Sequence, residues 1–215
     1  MNLENEKNEN SKIFQLVIAS KNIHKIRELK AILHDVISDI DILSLMDFPE
    51  YIPPEESGST FEENAILKAE HAAKALNKWV LSDDSGLIIP ALGGEPGILS
   101  ARYAGKGATD ADNRKKLLAK LNDLSDKDLY AYFECCLALS SPEELKKSVC
   151  AKCEGRVEIA ERGGHGFGYD PIFIKHDYNS TFSELKEDVK NKISHRRKAI
   201  DKLLATLESV ISNAM

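Results

Sequence analysis

The chain has 215 residues, of which 42% are hydrophobic and 30% are charged, and its formal net charge is -6 at pH 7. This composition fits one globular domain with a sizeable core, and the negative balance argues against nucleic acid as a partner, because phosphate backbones attract an excess of Lys and Arg. No apolar run approaches the roughly 18 residues of a membrane span, and the first residues include no signal-peptide core. We expect a cytoplasmic protein without a membrane partner, a disordered polar tail over residues 1–12 and one two-lobed domain over residues 13–213.

The first elements predicted along the chain are a buried strand over residues 14–19 and a helix over residues 22–36. The loop between them, Ser20-Lys21-Asn22, brings Lys21 and Lys25 to the start of a helix, where cations are unfavourable unless an anion is bound. The loop therefore indicates a phosphate site. It lacks the glycine-rich Walker pattern, and a solvated lysine-rich turn is the alternative.

A second strand is predicted over residues 40–45, followed by a proline-rich acidic loop over residues 48–58 that contains Glu55 and Glu56. Thr60 then opens a helix that continues to about residue 77, with the Glu of its capping box three positions on. Because this helix is rich in alanine on one face, it is expected to pack closely against the sheet.

Lys68 lies on the inward face of that helix, between Ala65 and Ala72. The pattern alone favours an ammonium group that reaches out to solvent along its aliphatic stem. If this face borders a cleft, the same ammonium group can contact a bound phosphate instead.

Residues 79–86 are an apolar run that ends in Asp83, Asp84, Ser85 and Gly86. We interpret this segment as a strand that delivers two carboxylates into a loop at its carboxyl edge, where open α/β sheets place their chemistry. A plain turn is the alternative, because these four residue types favour turns. Since strand side chains alternate, the two aspartates point the same way only if the strand has already ended; otherwise one faces a cleft and the other braces the backbone or a metal ion.

The second half of the chain begins with a loop rich in glycine and proline over residues 92–105, which predicts an irregular backbone path. Thr109 caps a helix to about residue 121, and residues 129–139 and 148–159 are predicted to be a pair of antiparallel strands. Together these elements suggest the wall of a second lobe.

Four cysteines fall in those two strand segments: Cys135, Cys136, Cys150 and Cys153. The last two have the Cys-x-x-Cys spacing that zinc sites and redox centres also use. Residues three apart in a strand point to opposite faces, as adjacent residues do, so a zinc or redox site is the less favoured alternative. We interpret all four as small core residues of a cytoplasmic protein.

Glycines flank Phe167 and Tyr169 in residues 163–171. They would let the backbone and the aromatic faces approach a flat ligand closely; a glycine hairpin with core aromatics is the alternative. No helix is predicted directly after this segment, so its Gly-x-Gly spacing does not indicate a dinucleotide fold.

Thr181 with Glu184 predicts the start of a short helix to about residue 192, and Ser194 caps a final helix. The first turn of that last helix carries four basic or potentially basic residues, His195, Arg196, Arg197 and Lys198. Because they oppose the helix dipole, an anionic or acceptor-rich ligand is the better interpretation.

Taken together, six segments resemble the inosine triphosphate pyrophosphatase family, which cleaves non-standard purine nucleoside triphosphates. The matching segments are Ser20-Lys21-Asn22 with Lys25, residues 58–69, 83–86, 93–105 and 166–173, and Ser194-His195-Arg196. They run in family order from about residue 14 to residue 205. The resemblance depends on all six segments occurring together and in the same order as in the family.

The resemblance implies roles for individual residues. The triphosphate would be held by Ser20, Lys21, Asn22 and Lys25, together with Lys68, and Ile23 and His24 between them would also bind the substrate. Mg²⁺, or Mn²⁺ in its place, would be held by Glu56 and Asp84, with Glu55 and Asp83 as further candidates. Asp84 would also be the catalytic base. Ser85 would contact the substrate, and the base and sugar would be framed by Phe167, Gly168, Tyr169, Asp170, Lys190, His195 and Arg196.

For the whole chain we expect an α/β fold with an elongated mixed sheet, flanking helices and two lobes around a central substrate cleft; the resemblance also implies a homodimer. The activity it implies is Mg²⁺-dependent hydrolysis of ITP, dITP and XTP to the monophosphate and pyrophosphate. A related pyrophosphatase for modified pyrimidine nucleotides and a nucleotide-binding sensor without hydrolysis are the alternatives. Arg197 stands where the family usually has glycine, which puts the local backbone in doubt or adds a charge near the pocket.

Overall fold

The structure is a computed structural model that describes residues 13–124 and 129–214. The tail predicted over residues 1–12 lies outside this part of the chain. Among the described residues, no helix is both long enough and apolar enough to cross a membrane.

The centre of the fold is a six-stranded sheet with the order β2-β1-β3-β4-β5-β6. Its strands are β1 (Phe14–Ile18), β2 (Ile40–Ser44), β3 (Trp79–Ile88), β4 (Tyr130–Ser140), β5 (Leu145–Val157) and β6 (Phe173–Lys175). β1 runs parallel to β2 and β3, and the remaining neighbours are antiparallel. The predicted mixed sheet and the predicted antiparallel pair β4 and β5 are confirmed.

Helices cover both faces of the sheet. They are α1 (Ile23–Val36), α2 (Phe61–Leu76), α3 (Asp110–Asn122), α4 (Glu187–Ile193) and α5 (His195–Ala214). The predicted caps are present at α2 and α3, where Thr60 and Thr109 accept hydrogen bonds from the first turn of their helix. In α1, Asn22 has the same role, although it was predicted as the first residue of the helix and not as its cap.

The helix predicted to begin at Thr181 is wrong in its start, because α4 begins only at Glu187. Thr181 does donate its backbone N–H to the Glu184 carboxylate at 2.8 Å, as a capping residue would. The next residue, Phe182, donates its own N–H to the carbonyl of Phe173, and its ring is buried. Tertiary packing of this side chain therefore overrides the local capping signal.

β3 also differs from the sequence-based expectation, because it does not end at the aspartates. The strand continues to Ile88 and pairs with β4 throughout, with Asp83 opposite Leu137 and Asp84 opposite Cys136. The predicted loop and the alternative turn are both wrong here, since the long strand β4 supplies backbone partners along the whole segment. Asp83 and Asp84 therefore project to opposite faces of the sheet.

The core is divided by the sheet. On one face, α1 and α5 bury a cluster that includes Leu16, Leu29, Leu137 and Leu203. On the other face, the small residues Ala65 and Ala69 of α2 pack against Cys136 and Ala138 of β4. These alanines let α2 approach the sheet closely, which brings the polar residues of α2 within reach of β3.

The cysteines give a second correction. Cys136 and Cys150 are directly opposite each other on β4 and β5, with Cα atoms 4.1 Å apart, and they form a disulfide. The expectation of four unbonded core thiols is therefore wrong for this pair; the pairing depends on strand register, which side-chain alternation within one strand does not reveal. Cys135 and Cys153 are free and buried in clusters on the opposite face, so the predicted opposite orientation of Cys150 and Cys153 is confirmed.

Candidate active site

A cavity of about 380 Å³ lies where the start of α1, the middle of β3 and the start of α5 meet, a volume typical of small-ligand sites. The predicted site residues that line it are Ser20, Lys21, Asn22, Lys25, Glu56, Lys68, Asp83, Asp84, Ser85, Phe167, Gly168, Tyr169, Asp170, His195 and Arg196. Residues far apart in the chain thus share one hollow, with lysines and carboxylates on the same wall.

On the face of α1 and α5, Asp83 is surrounded by positive charge. Its carboxylate lies 2.5 Å from the Lys25 ammonium group and 3.1 Å from Arg196 Nε, and it accepts a hydrogen bond from Ser85 Oγ at 2.8 Å. Burial alone would raise the pKa of Asp83, but Lys25 and Arg196 outweigh it and hold the pKa well below the usual value. Asp83 is therefore an ionised group whose oxygens are engaged by the protein.

On the α2 face, Asp84 has fewer partners. Its oxygens lie 2.8 Å from the Lys68 ammonium group and 3.3 Å from the Asn64 amide nitrogen. Burial raises the pKa of Asp84 above that of an ordinary aspartate, against the nearby Lys68 and Lys25. A carboxylate with a raised pKa at the wall of a cavity is suited to accepting a proton.

Lys68 joins the acidic groups of this wall. Its ammonium group lies 2.9 Å from Glu56 as well as 2.8 Å from Asp84, and its side chain is only 13% exposed. The preference drawn from the pattern alone, a side chain reaching to solvent, is wrong, because Lys68 lines the cavity. The phosphate contact implied by the resemblance stays a prediction. Glu56 lines the cavity, whereas Glu55 is exposed and lies outside it.

Arg102 is a residue of this wall that the sequence reasoning missed. It donates a hydrogen bond to Glu56 at 3.0 Å and lines the cavity. The glycine-rich loop was recognised as irregular, but its path brings Arg102 to the site through packing on β3, where Ser100 accepts a hydrogen bond from the backbone of Leu87. A loop position gives no periodic signal from which to predict this contact.

The phosphate-binding loop predicted at the start of α1 is only partly directed at the cavity. Ser20, Lys21, Asn22 and Lys25 line it, and the Asn22 side chain accepts from the backbone of the first helical turn. Ile23 is 63% exposed and His24 does not line this cavity. The His24 ring instead stacks on Phe167, with ring centroids 5.2 Å apart.

Behind the cavity, a buried network links the start of α5 to α4. Glu28 lies 2.5 Å from Lys190 and 2.7 Å from Arg196, and Lys190 also lies 2.5 Å from Asp170. Lys190 lines a neighbouring hollow of about 430 Å³ that shares Phe167 with the main cavity. The sequence reasoning missed Glu28, because a glutamate beside the apolar stripe of α1 has the same pattern as a solvated residue.

His195 is buried, and both of its ring nitrogens lack a hydrogen-bond partner among the described residues. Its ring stacks on Phe133, with centroids 4.7 Å apart. Burial and the positive charge of Arg196 lower the pKa of His195 well below 6.5, so the imidazole is neutral and offers one donor and one acceptor. Unpaired buried polar groups are uncommon in folded proteins, so these two nitrogens are candidates for hydrogen bonds to a polar ligand or a water molecule.

Arg197 does not add its charge to the cavity. Its guanidinium group lies 2.7 Å from Asp35 and 2.8 Å from Asp201, and α5 continues through it without a break. The departure from the usual glycine is therefore accommodated on the outer face of the helix.

Comparison with known proteins identifies the family of the chain. The profile of the Ham1 family matches residues 16–206. A dITP/XTP pyrophosphatase of Protochlamydia amoebophila is 55% identical over 91% of this chain and 98% of its own length. A dITP/XTP pyrophosphatase of Chlamydia trachomatis serovar L2 is 51% identical over 93% of this chain and 95% of its own length.

Solved structures are similar over the same region. The Ham1 protein of Staphylococcus aureus superimposes with a TM-score of 0.78 at 45% identity, covering 91% of this chain and 98% of that one. A HAM1 protein of Coxiella burnetii gives a TM-score of 0.80 at 41% identity, covering 91% of this chain and 99% of that one. From its sequence profile, its curated relatives and its fold, this chain belongs to the Ham1 family.

Proposed function

We propose that the protein hydrolyses non-standard purine nucleoside triphosphates, namely ITP, dITP and XTP, to the nucleoside monophosphate and pyrophosphate. The name carried by its relatives, dITP/XTP pyrophosphatase, supports the substrate class. The observation that carries the proposal is the contrast within one cavity between Asp83, ionised and engaged by cations, and Asp84, whose pKa is raised. Carboxylates with opposite shifts are typical of sites that divide structural and proton-accepting roles.

Hydrolysis between the α and β phosphates requires cations beside the chain of phosphates. Lys21 and Lys68 line the cavity with Lys25, which is already paired with Asp83. The positive end of α1 lies beside the same space. These groups would stabilise the charge that accumulates on the leaving pyrophosphate, which is the main demand of phosphoryl transfer.

Asp84 is the group proposed to activate water. A water oxygen attacks the α phosphorus, its proton passes to an Asp84 oxygen, and the bond from the α phosphorus to the bridging oxygen breaks. The electron pair of that bond leaves with pyrophosphate. Asn64 and Lys68 hold the Asp84 carboxylate, at 3.3 Å and 2.8 Å, in the orientation from which it accepts the proton.

The donor set on this wall fits Mg²⁺, with Mn²⁺ as a substitute. Glu56 and Asp84 supply carboxylate oxygens, the ligands that Mg²⁺ prefers, and both contact one cationic group, the Lys68 ammonium. Glu56 and Asp84 would hold the ion, with Asp83 beside them on β3. When bound, Mg²⁺ neutralises phosphate charge and favours departure of pyrophosphate.

Selection of the base is proposed to use Arg196 and His195. Inosine and xanthosine carry a carbonyl at purine position 6, whereas adenine carries an amino group that donates. Arg196 only donates, so an adenine amino group facing it would leave a buried donor unsatisfied, at a cost of about 1 to 3 kcal/mol. His195 offers further unpaired groups at the same end of the cavity.

Pyrophosphate release with Mg²⁺ from a panel of ITP, dITP, XTP, ATP, GTP and a modified pyrimidine triphosphate tests the proposal. We expect rapid release from the first three and slow release from the others. Strongest turnover of the pyrimidine nucleotide would favour the alternative pyrophosphatase, and tight binding without release would favour a sensor. In Arg196→Ala that retains a native circular dichroism spectrum, the ITP to ATP preference should narrow by about tenfold, since one buried donor contributes roughly 1 to 3 kcal/mol.

The homodimer and the cytoplasmic location implied at the sequence level are also proposals. Light scattering of the purified protein tests the first, with twice the monomer mass expected. Fractionation of the source cells tests the second, with activity expected in the fraction that contains no membranes.

A further inference from the structure

The Cys136–Cys150 disulfide lies beside the catalytic strand on the α2 face of the sheet. Asp84 of β3 is directly opposite Cys136 of β4, and Cys136 is directly opposite Cys150 of β5. The three side chains therefore form a row across neighbouring strands, which in sheets lie about 4.8 Å apart. Opening the disulfide would therefore alter the packing directly beside Asp84, the proposed base.

The same helix covers the disulfide and holds Asp84. Cys136 packs against Ala65 and Ala69 of α2, and the two polar contacts of Asp84, from Asn64 and Lys68, come from the same two turns. A displacement of α2 at the alanines would thus change the position of both groups that orient the carboxylate.

The bond is open to exchange from one side. Cys136 is 2% exposed, whereas Cys150 is half-buried, so Cys150 is the more accessible of the two residues to an attacking thiolate. The other two cysteines lie on the opposite face, where burial raises the pKa of Cys153 to about 11 and that of Cys135 well above its usual value. They remain protonated thiols and do not compete as nucleophiles.

We propose that Cys136 and Cys150 form a reversible redox modification site, opened by dithiol reductants, and that opening it slows the hydrolysis of nucleoside triphosphates. This rests on the proposed function. A reductant thiolate attacks the Cys150 sulfur, the bond to Cys136 breaks, and Cys136 leaves as a thiolate that takes up a proton. The second thiol of the reductant then displaces Cys150, so the protein gains two electrons and two protons while the dithiol becomes a disulfide.

Reduction is expected to lower the rate of hydrolysis because two thiols need more space than one disulfide. Two sulfur atoms that are no longer bonded need a wider separation than a disulfide. Because Cys136 is buried in one cluster with Ala65 and Ala69, and protein interiors are closely packed, we expect this separation to displace α2. Misplacing a reacting group by about 1 Å can cost roughly 100-fold in rate. Disulfides in reducing compartments are usually transient and redox-sensing, which is the behaviour inferred here.

The first experiment measures the state of the thiols. The purified protein is treated with an alkylating reagent, with and without prior dithiothreitol, and the labelled peptides are identified by mass spectrometry. We expect Cys136 and Cys150 to be labelled only after reduction. When the reduced protein is first reoxidised by a disulfide reagent, neither residue should be labelled. Labelling of both residues before reduction, or failure to reoxidise, would overturn the proposal.

The second experiment measures the consequence. Turnover of ITP should fall about tenfold on reduction, within the range set by small misplacements. Cys150→Ser should match the reduced wild type and ignore dithiothreitol, whereas the control Cys153→Ser should respond like the wild type. The buffers exclude zinc, because opened thiols beside Glu134 have metal-ligand spacing, with ligand atoms within 4.8 Å of one another. Unchanged or faster turnover in the reduced wild type contradicts the proposal even if Cys150→Ser fails to fold.

Hydrogen exchange separates this inference from the proposed function. Exchange of the amides of Asn64 and Lys68 should quicken on reduction, while exchange in the second half of α5 stays constant. If the oxidised protein fails to hydrolyse any triphosphate, the proposed function fails, yet the exchange experiment still decides the redox coupling. Equal exchange in α2 in both states would show that the disulfide does not hold this helix.

Discussion

Asp83 and Asp84 are chemically identical neighbours on one strand, yet they occupy opposite environments. Asp83 faces α1 and α5, where Lys25 and Arg196 contact it and lower its pKa. Asp84 faces α2, where Lys68 and Asn64 are its contacts and burial raises its pKa. Because strand alternation alone separates them, the sheet gives one carboxylate a structural task and leaves the other available for proton transfer.

The largest expected effect is the loss of turnover in Asp84→Asn. In Asp84→Asn the side chain keeps its shape but loses the proton acceptor, so kcat for ITP should fall by about 10³-fold, within the range for general bases. At a saturating concentration of Mg²⁺, binding of ITP should change little, because the lysines remain. Steady-state kinetics and calorimetric titration measure the two quantities. A variant that keeps more than a tenth of the wild-type kcat would mean that another group accepts the proton.

Asp83→Asn should act on folding instead. The substitution leaves Lys25 and Arg196 without their common anion, and Arg196 is 3% exposed. Removing one partner of a buried ion pair costs about 3 to 5 kcal/mol, so the free energy of unfolding in urea should fall by about 3 kcal/mol. Asp84→Asn is the matched control, with a smaller expected loss. Equal losses in the two variants would contradict the division of roles between the two carboxylates.

Sequence reasoning identified the two aspartates but not their arrangement. It recovered the elements whose signals are local, such as α2 with its Thr60 cap and the antiparallel pair β4 and β5. It predicted that the strand ends in a loop at the aspartates, as strands of open α/β sheets do at their carboxyl edge, whereas the structure continues the strand to Ile88. Whether a polar segment stays in a sheet depends on the partner strand, and no window of sequence contains that information.

The contacts that sequence reasoning missed are non-local in the same way. Glu28 is buried only because Lys190 and Arg196, more than a hundred residues later, supply two cations. Arg102 reaches Glu56 through an irregular loop. The disulfide depends on the register of β4 against β5. Each is a pairwise contact between distant segments, so composition and periodicity do not predict it.

The neighbouring glutamates Glu55 and Glu56 allow a test of metal binding beside Asp84. Glu56 lines the cavity and shares the Lys68 ammonium group with Asp84, whereas Glu55 is exposed outside it. Mutation even of a residue that only supports a metal ligand typically costs about 10- to 100-fold in metal affinity, so Glu56→Gln should raise the Mg²⁺ concentration for half-maximal turnover by at least about tenfold. Glu55→Gln is the matched control and should leave it unchanged. If both variants behave alike, Glu56 does not hold the ion.

The smallest expected effect is the pH dependence of stability that His195 causes. It tests whether Lys25 and Arg196 fully neutralise the charge of Asp83. Burial and Arg196 lower the pKa of His195 well below 6.5, although Asp83 acts in the opposite direction. The unfolded chain binds a proton at His195 below about pH 6.5 that the folded chain does not, so stability is present above that pH and is lost as the pH falls. The loss should be about 1.4 kcal/mol per pH unit until the folded pKa is reached.

Urea unfolding between pH 7.5 and pH 5, compared in the wild type and His195→Gln, isolates this contribution because the other titrating groups cancel in the difference. The wild type should lose stability relative to the variant as the pH falls, by about 1 to 2 kcal/mol at the lower end. A difference that stays constant would mean that the folded imidazole is protonated. In that case the negative charge of Asp83 would raise the pKa of His195 even though Lys25 and Arg196 contact Asp83. The charge of Asp83 would then not be fully neutralised, as the division of roles between the two aspartates requires.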